Sequence, residues 1–157
     1  MPKRWVGIVV SGEKVTLVDV EVPKVGQLVL QSDQSWRLQT GNRPEAYDVM
    51  YRRVKDYVRE QKIALTVIKA SGVGQHRVGK AHLDSAELRG AVMCAAASEA
   101  PVQLWSKAVA SRSLSRKGKR KVDEYVQDES HFATNIDGQL KAGSREAALM
   151  LLAVRDG

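Results

Sequence analysis

The sequence is poor in the residues that build disulfides, metal clusters and base-stacking surfaces. It has 157 residues and one cysteine, Cys94, so no internal disulfide can form and a reducing, cytoplasmic location is expected. Its histidines, His76, His82 and His131, show no metal-ligand spacing with that cysteine. Aromatic residues make up 5% of the chain, which argues against base stacking on single strands as the main mode of nucleic-acid binding.

Long apolar segments are also missing. No run approaches the length of about 18 residues that a transmembrane helix needs. The N-terminal residues MPKRWVG lack the apolar region of a signal peptide, so none is expected. Hydrophobic residues still account for 43% of the chain, which is enough for one core. We therefore predict a single domain over residues 1–157 without membrane attachment.

Positive charge is in excess, with 25 lysines and arginines against 18 acidic residues and a net charge of +7. Such a balance favours a polyanionic partner, DNA or RNA. Arg77 and Lys80 follow a predicted strand and are expected to share a positive surface with a segment at 112–121. Gly118 interrupts that segment, which is also compatible with a mobile, solvated loop. Its cations are Arg112, Arg116, Lys117, Lys119, Arg120 and Lys121.

Hydrophobic periodicity predicts strands that alternate with helices. Residues 5–22 read as a hairpin around Gly12, and its first strand is an almost unbroken apolar run, typical of a strand covered on both faces. The third strand has two candidates, 27–30 and 35–38, between which the pattern does not decide. The remaining predictions are a helix capped by Asn42 and running to Lys62, a strand at 63–68, a helix from Asp84 or Ser85 to Ser98, a strand at 101–105, a short helix at 121–128, turns over 130–143, and a final helix over 144–155 capped by Ser144.

The glycine-rich segment 69–80 comes at the carboxyl end of a predicted central strand, where α/β proteins place their ligands. Its spacing from Gly74 is similar to a P-loop, but Ala81 stands where a serine or threonine must bind magnesium. We therefore expect no nucleotide site. The next helix is rich in small residues, and Cys94 within it is expected to be a buried structural thiol.

The predicted order, β-β-β-α-β-α-β-α-α, is that of the ribonuclease H-like fold, and local motifs resemble the RuvC resolvase branch. They are the Gly7-Ile8 strand with its Gly12 turn, the helical stretch 88–92 (LRGAV), and the stretch 145–149 (REAAL). The chain also resembles small bacterial relatives of RuvC of about this length. The resemblance implies an α/β fold with a mixed five-stranded sheet, three antiparallel strands followed by two parallel ones, flanked by helices.

The resemblance also implies a particular chemistry. Nucleases of this branch hold two Mg²⁺ or Mn²⁺ ions with acids on the first strand, at the end of the fourth strand, and on or before the last helix. Here Val9 or Val10 occupies the first position and residues 69–71 (KAS) the second. Glu146 alone matches in type, and Asp137 is a weaker candidate metal ligand. Loss of two-metal nuclease activity, and no metal cofactor, are therefore predicted.

The favoured hypothesis is a RuvC-like pseudo-nuclease that binds the phosphate backbone of DNA or RNA through a basic surface. One alternative is an interaction protein, a scaffold subunit of a larger complex. The other is an active nuclease dependent on Mg²⁺ or Mn²⁺, in which displaced acids meet. Those acids are Glu13, Asp84, Asp137 and Glu146.

Overall fold

The computed structural model describes residues 2–72, 79–106 and 121–157. They form a mixed six-stranded sheet in the order β5-β4-β1-β2-β3-β6. The first three strands are antiparallel, while β4 runs parallel to β1, β5 to β4, and β6 to β3. The strands are β1 Lys3–Ser11, β2 Lys14–Val22, β3 Leu28–Arg37, β4 Leu65–Lys69, β5 Val102–Trp105 and β6 Ile136–Asp137.

Helices cover both faces of this sheet. Helices α1 and α2 pack on one face, and the C-terminal helices pack on the other. None of the helices in the described part is long and apolar enough to cross a membrane. The helices are α1 Arg43–Glu60, α2 Lys80–Ala97, α3 Val122–Gln127, α4 Glu129–Asn135 and α5 Arg145–Asp156, with a 3-10 turn at Ala142–Ser144.

The predicted α/β class and its ribonuclease H-like order are confirmed, but the sheet has six strands, not five. Residues 130–143, expected to be turns, contain α4 and β6. The two residues of β6 add to the sheet beside β3, where Leu28 pairs with Ile136. Such a short strand carries no periodic pattern, and it depends on an open edge that only the folded sheet provides.

The N-terminal hairpin forms as predicted, and β1 is covered on both faces. Ser11 pairs with Lys14, so the turn consists of Gly12 and Glu13, with Gly12 at φ 61°. Gly7 lies directly under α5. A Cβ atom on Gly7 would come within 2.5 Å of the Ala147 carbonyl oxygen, so the missing side chain sets how closely α5 approaches β1.

The third strand unites both candidate segments, 27–30 and 35–38, because β3 is one long strand with polar residues in its middle. Helix α1 begins as predicted. The Asn42 side chain accepts a hydrogen bond from the Glu45 backbone N–H at 3.1 Å. The inward face of α1 consists of Ala46, Met50, Val54 and Val58.

Two local predictions are wrong, those for the start of α2 and for Cys94. Helix α2 begins at Lys80, before either predicted cap, and Ser85 instead donates to the Gly12 carbonyl at 3.2 Å. Ser144 is the N-cap residue of α5 as predicted, but its hydroxyl donates to Asp33 and makes no capping bond to the helix. Cys94 is exposed, because the buried face of α2 is made by other side chains. They are Ser85, Leu88, Val92, Ala95 and Ala96.

Candidate nucleic-acid interface

Three parallel strands, β1, β4 and β5, end at the same side of the sheet, which we call the carboxyl edge. Ile8 pairs with Ile68 across β1 and β4, so the next residues, Val9 and Lys69, lie side by side. Lys69 in turn pairs with Trp105 of β5. The chain segments 73–78 and 107–120, outside the described residues, follow β4 and β5 at this edge. In parallel sheets this is where ligands bind.

The excess charge of the chain is concentrated in those two segments. The described residues contain all 18 acidic residues and an equal number of lysines and arginines. Their formal net charge is therefore zero. The net charge of +7 therefore corresponds to seven cations in the sequence of these two segments. They are Arg77, Lys107, Arg112, Arg116, Lys117, Lys119 and Arg120.

An ion pair joins strand β4 to helix α5 at this edge. Lys69 is the last residue of β4, and Glu146 lies in the first turn of α5. The Lys69 Nζ and Glu146 Oε1 atoms are 2.6 Å apart, and the side chains are 27% and 26% exposed. The close packing of α5 on Gly7 brings Glu146 to the strand end.

These residues do not fit the pair of metal ions that the resemblance implies. Hard divalent cations need several oxygen ligands, whereas this position offers one carboxylate, already paired with an ammonium group. Val9 has no ligand atom. Across the described ranges, no group of three histidine, cysteine, aspartate or glutamate side chains could hold a metal ion.

The other predicted acids are dispersed. Glu13 and Asp84 converge with Glu87 on Arg43, at nitrogen–oxygen distances of 3.8, 3.4 and 4.0 Å. Asp137 lies on β6, the strand at the far side of the sheet from β4 and β5. Four strand spacings separate β6 from β4, about 19 Å. The described structure thus does not bring the displaced acids together around Glu146.

Two of the predicted nucleic-acid-binding residues are described. Lys80 is the first residue of α2 and Lys121 precedes α3, and both are exposed beside the segments that carry the excess charge. His82 is exposed on α2, and the His131 ring packs against Tyr125 at 5.1 Å. Outside the described residues lie Arg77, Arg112, Arg116, Lys117, Lys119 and Arg120, as well as His76.

Arg89 on α2 also reaches the carboxyl edge, which sequence reasoning missed. Its Nη1 donates to the Ser71 hydroxyl at 2.6 Å, and its Nη2 donates to the Val10 carbonyl at 3.0 Å. Its Nε is buried without a hydrogen-bond partner. Burial lowers the pKa of the guanidinium. The available signal was one cation, Arg89, in the middle of a helix of small residues.

A second ion pair lies at the opposite end of β1, and its carboxylate is closed off from solvent, while the Arg4 side chain is 23% exposed. Asp19 is fully buried and receives hydrogen bonds from two guanidinium nitrogens of Arg4, from Nε at 2.9 Å and from Nη2. The Tyr57 hydroxyl donates to Asp19 at 2.6 Å, and Arg4 also donates to Gln61 at 3.3 Å. Burial, and then the bond to Asp19, raise the pKa of Tyr57 well above its usual range.

Neither a protein-family model nor a curated protein matches the sequence. Among solved structures, Thermus thermophilus RuvC is similar over 97% of this chain and 95% of its own, with a TM-score of 0.69 and 16% identity. Thermus thermophilus RuvC in complex with a Holliday junction substrate gives a TM-score of 0.70 at 12% identity, over 98% of this chain and 93% of that one. The yeast mitochondrial Holliday junction resolvase gives a TM-score of 0.72 at 11% identity, over 99% of this chain and 78% of that one. The chain therefore has the fold of the RuvC resolvases.

Proposed function

We propose that this RuvC-fold protein binds the phosphate backbone of DNA or RNA at the carboxyl edge and has lost two-metal nuclease chemistry. The Lys69–Glu146 ion pair carries the proposal. An ammonium group stands 2.6 Å from the one acid that the family pattern retains. A two-metal centre needs carboxylates at that position to hold the metal ions, which clamp the attacking and leaving oxygens.

The charge distribution supports backbone binding. All of the excess positive charge lies in the two sequence segments that follow β4 and β5. If about six phosphates are neutralised there, the logarithm of affinity falls with the logarithm of salt concentration at a slope of roughly −5. One structural neighbour is a RuvC bound to a Holliday junction, which makes duplex or branched DNA the first substrate to test. A cytoplasmic location, expected from the cysteine content, stays a prediction.

Lys69 and Glu146 have separate roles in this proposal. The ammonium supplies positive charge where a nuclease would place metal ions, without activating a water molecule. Glu146 offsets part of that charge and limits how strongly a phosphate is held. Because both side chains are about a quarter exposed, an approaching phosphate can compete with the carboxylate for Lys69.

Binding is tested with fluorescently labelled duplex DNA, four-way-junction DNA and duplex RNA, each over a range of salt concentrations. Replacing Arg116 and Lys117 by alanine is expected to weaken binding about tenfold and to flatten the salt slope by about 1.8, since each lost phosphate contact contributes about 0.9. Lys3 and Lys24 are exposed at the opposite end of the sheet. Their double alanine variant removes equal charge and is expected to leave the slope unchanged.

Glu146→Gln separates the proposal from both alternatives. We expect no Mg²⁺- or Mn²⁺-dependent cleavage by the wild type, and a few-fold tighter binding by the variant, since removing the carboxylate frees Lys69. Metal-dependent cleavage that Glu146→Gln abolishes would establish an active nuclease and overturn the proposal. Absence of binding to every nucleic acid, together with a stable protein complex in a pull-down, would favour the interaction protein.

A further inference from the structure

We infer that Arg89 and Ser71 form a binding site for one backbone phosphate group at the carboxyl edge. The inference rests on the proposed nucleic-acid binding and names the residues that make one of its contacts. Arg89 reaches the edge from α2, on the face of the sheet opposite to α5 and Glu146. Its bonds to Val10 and Ser71 place the guanidinium between the ends of β1 and β4.

Arg89 differs from the other partly buried arginines in having no carboxylate partner. Arg4 pairs with Asp19, Arg145 with Glu129, and Arg155 with Asp156. Every acidic residue of the chain lies within the described ranges, and none forms an ion pair with Arg89. The positive charge of Arg89 is therefore not neutralised by any acid of this chain.

The remaining hydrogen-bonding capacity suits a phosphate. A guanidinium has five N–H donors, and Arg89 uses two of them on the Ser71 hydroxyl and the Val10 carbonyl. The Nε–H is buried, so one N–H on each Nη atom remains for a ligand. The Ser71 hydroxyl accepts from Arg89, so its own hydrogen is available to donate. A planar guanidinium fork beside a hydroxyl donor matches the several acceptor oxygens of one phosphate group.

The energetics also indicate a ligand. Partial burial disfavours the charged guanidinium, and the unpartnered Nε adds the cost of an unmade hydrogen bond. The bonds of Arg89 to the Val10 carbonyl and the Ser71 hydroxyl do not require a charged donor, because a neutral donor could make them. An anion bound to Arg89 would offset the cost of keeping this charge. The seven excess cations of the chain follow β4 and β5 in the sequence, which makes a polyanion the most favoured source of that anion.

The binding test uses a labelled DNA duplex of about 30 base pairs, matched to several phosphate contacts. Arg89→Ala is expected to weaken binding about tenfold and to flatten the salt slope by about 0.9. Arg89→Lys should recover the slope but only part of the affinity, because it keeps the charge and loses the fork. Ser71→Ala, at an exposed position where misfolding is not expected, should weaken binding about threefold with the slope unchanged.

Arg155→Ala is the matched control. Arg155 is also partly buried and also donates to a backbone carbonyl, that of Gly26, but it pairs with Asp156 at the other end of the sheet. Binding by this variant should equal that of the wild type. Thermal unfolding of every variant identifies any loss of folding, in which case Ser71→Ala and Arg89→Lys decide the outcome.

A second readout follows the NMR signal of the Arg89 Nε–Hε group during titration with the duplex and, separately, with inorganic phosphate. A saturable shift with the duplex supports the site. If the wild type binds nucleic acid and Arg89→Ala binds it with equal affinity and slope, the inference is overturned and the proposed function stands. If the wild type binds no nucleic acid, the proposed function fails. A shift with inorganic phosphate alone would then assign the site to a free anion and overturn the backbone source.

Discussion

Two ion pairs lie at opposite ends of the neighbouring parallel strands β1 and β4, and they differ in the burial of their carboxylates. At the amino end of β1, Arg4 meets Asp19, whose side chain is fully buried. At the carboxyl end of β4, Lys69 meets Glu146, and both side chains are about a quarter exposed. A short nitrogen–oxygen distance alone therefore does not show whether a pair stabilises the fold or awaits a ligand.

The amino end is closed by α1. Tyr57 and Gln61, at the end of that helix, complete the hydrogen bonds of Asp19 and Arg4. At the carboxyl end, the pair has one described contact between its charged atoms, and the segments that hold the excess charge begin nearby. The closed pair has the contacts of a structural connection, whereas the open pair and Arg89 lie where we propose that a phosphate binds.

The largest effect should come from breaking the closed pair. Asp19→Asn keeps the shape of the side chain but leaves Arg4 without a counter-charge in a partly buried position. We predict a loss of about 3 kcal/mol in the free energy of unfolding, measured by urea denaturation. Glu146→Gln is the matched change at the open end and should cost less than about 1 kcal/mol, because water can solvate Lys69. Equal losses in the free energy of unfolding of the two variants would show that the two ion pairs contribute equally to stability.

Gly7→Ala tests what holds Glu146 in place. The added methyl group would meet the Ala147 carbonyl oxygen at 2.5 Å and Leu151 at 3.1 Å, so α5 must move away from β1. We predict a loss of about 2 kcal/mol from this overpacking. Gly90→Ala is the control, because a Cβ there meets nothing within 4 Å and alanine favours the helix, so stability should rise by about 0.5 kcal/mol or more. Unchanged stability of Gly7→Ala would mean that α5 is not held closely at this point.

The order of strands and helices could be predicted because most elements carry their own signal. The apolar run of β1, the Gly12 turn and the Asn42 cap are local, and each formed as expected. Helix α4 and strand β6 could not be predicted, since tertiary contacts stabilise them. The Gln27 side chain donates to the Thr134 carbonyl at 2.8 Å, and Phe132 is buried in the core.

The candidate site was predictable in its residue types but not in its contacts. Val9, Lys69 and Glu146 were identified by position along strands and helix, without knowledge that two of them form an ion pair. That pair depends on how α5 packs over Gly7, which no local pattern contains. Arg89 was missed because its partners lie on β1 and just after β4, so the helix sequence alone shows only an isolated charge.

The smallest predicted effect concerns the pH dependence of the closed end. Burial and the bond to Asp19 raise the pKa of Tyr57 above its ordinary value of 10.0, so the folded state favours the neutral phenol. Its contribution to stability is complete below pH 10 and is lost as the pH rises above that value, since only the unfolded chain then ionises readily at this site. The stability difference between wild type and Tyr57→Phe should therefore be constant from about pH 7 to 9 and narrow above 10. Urea denaturation of both proteins at each pH measures this difference. Subtracting one free energy of unfolding from the other removes the contributions of the other groups that titrate in this range. A difference that stays constant above pH 10 would mean that the phenol is as accessible as in the unfolded chain, and the amino end would then be as open to solvent as the carboxyl edge.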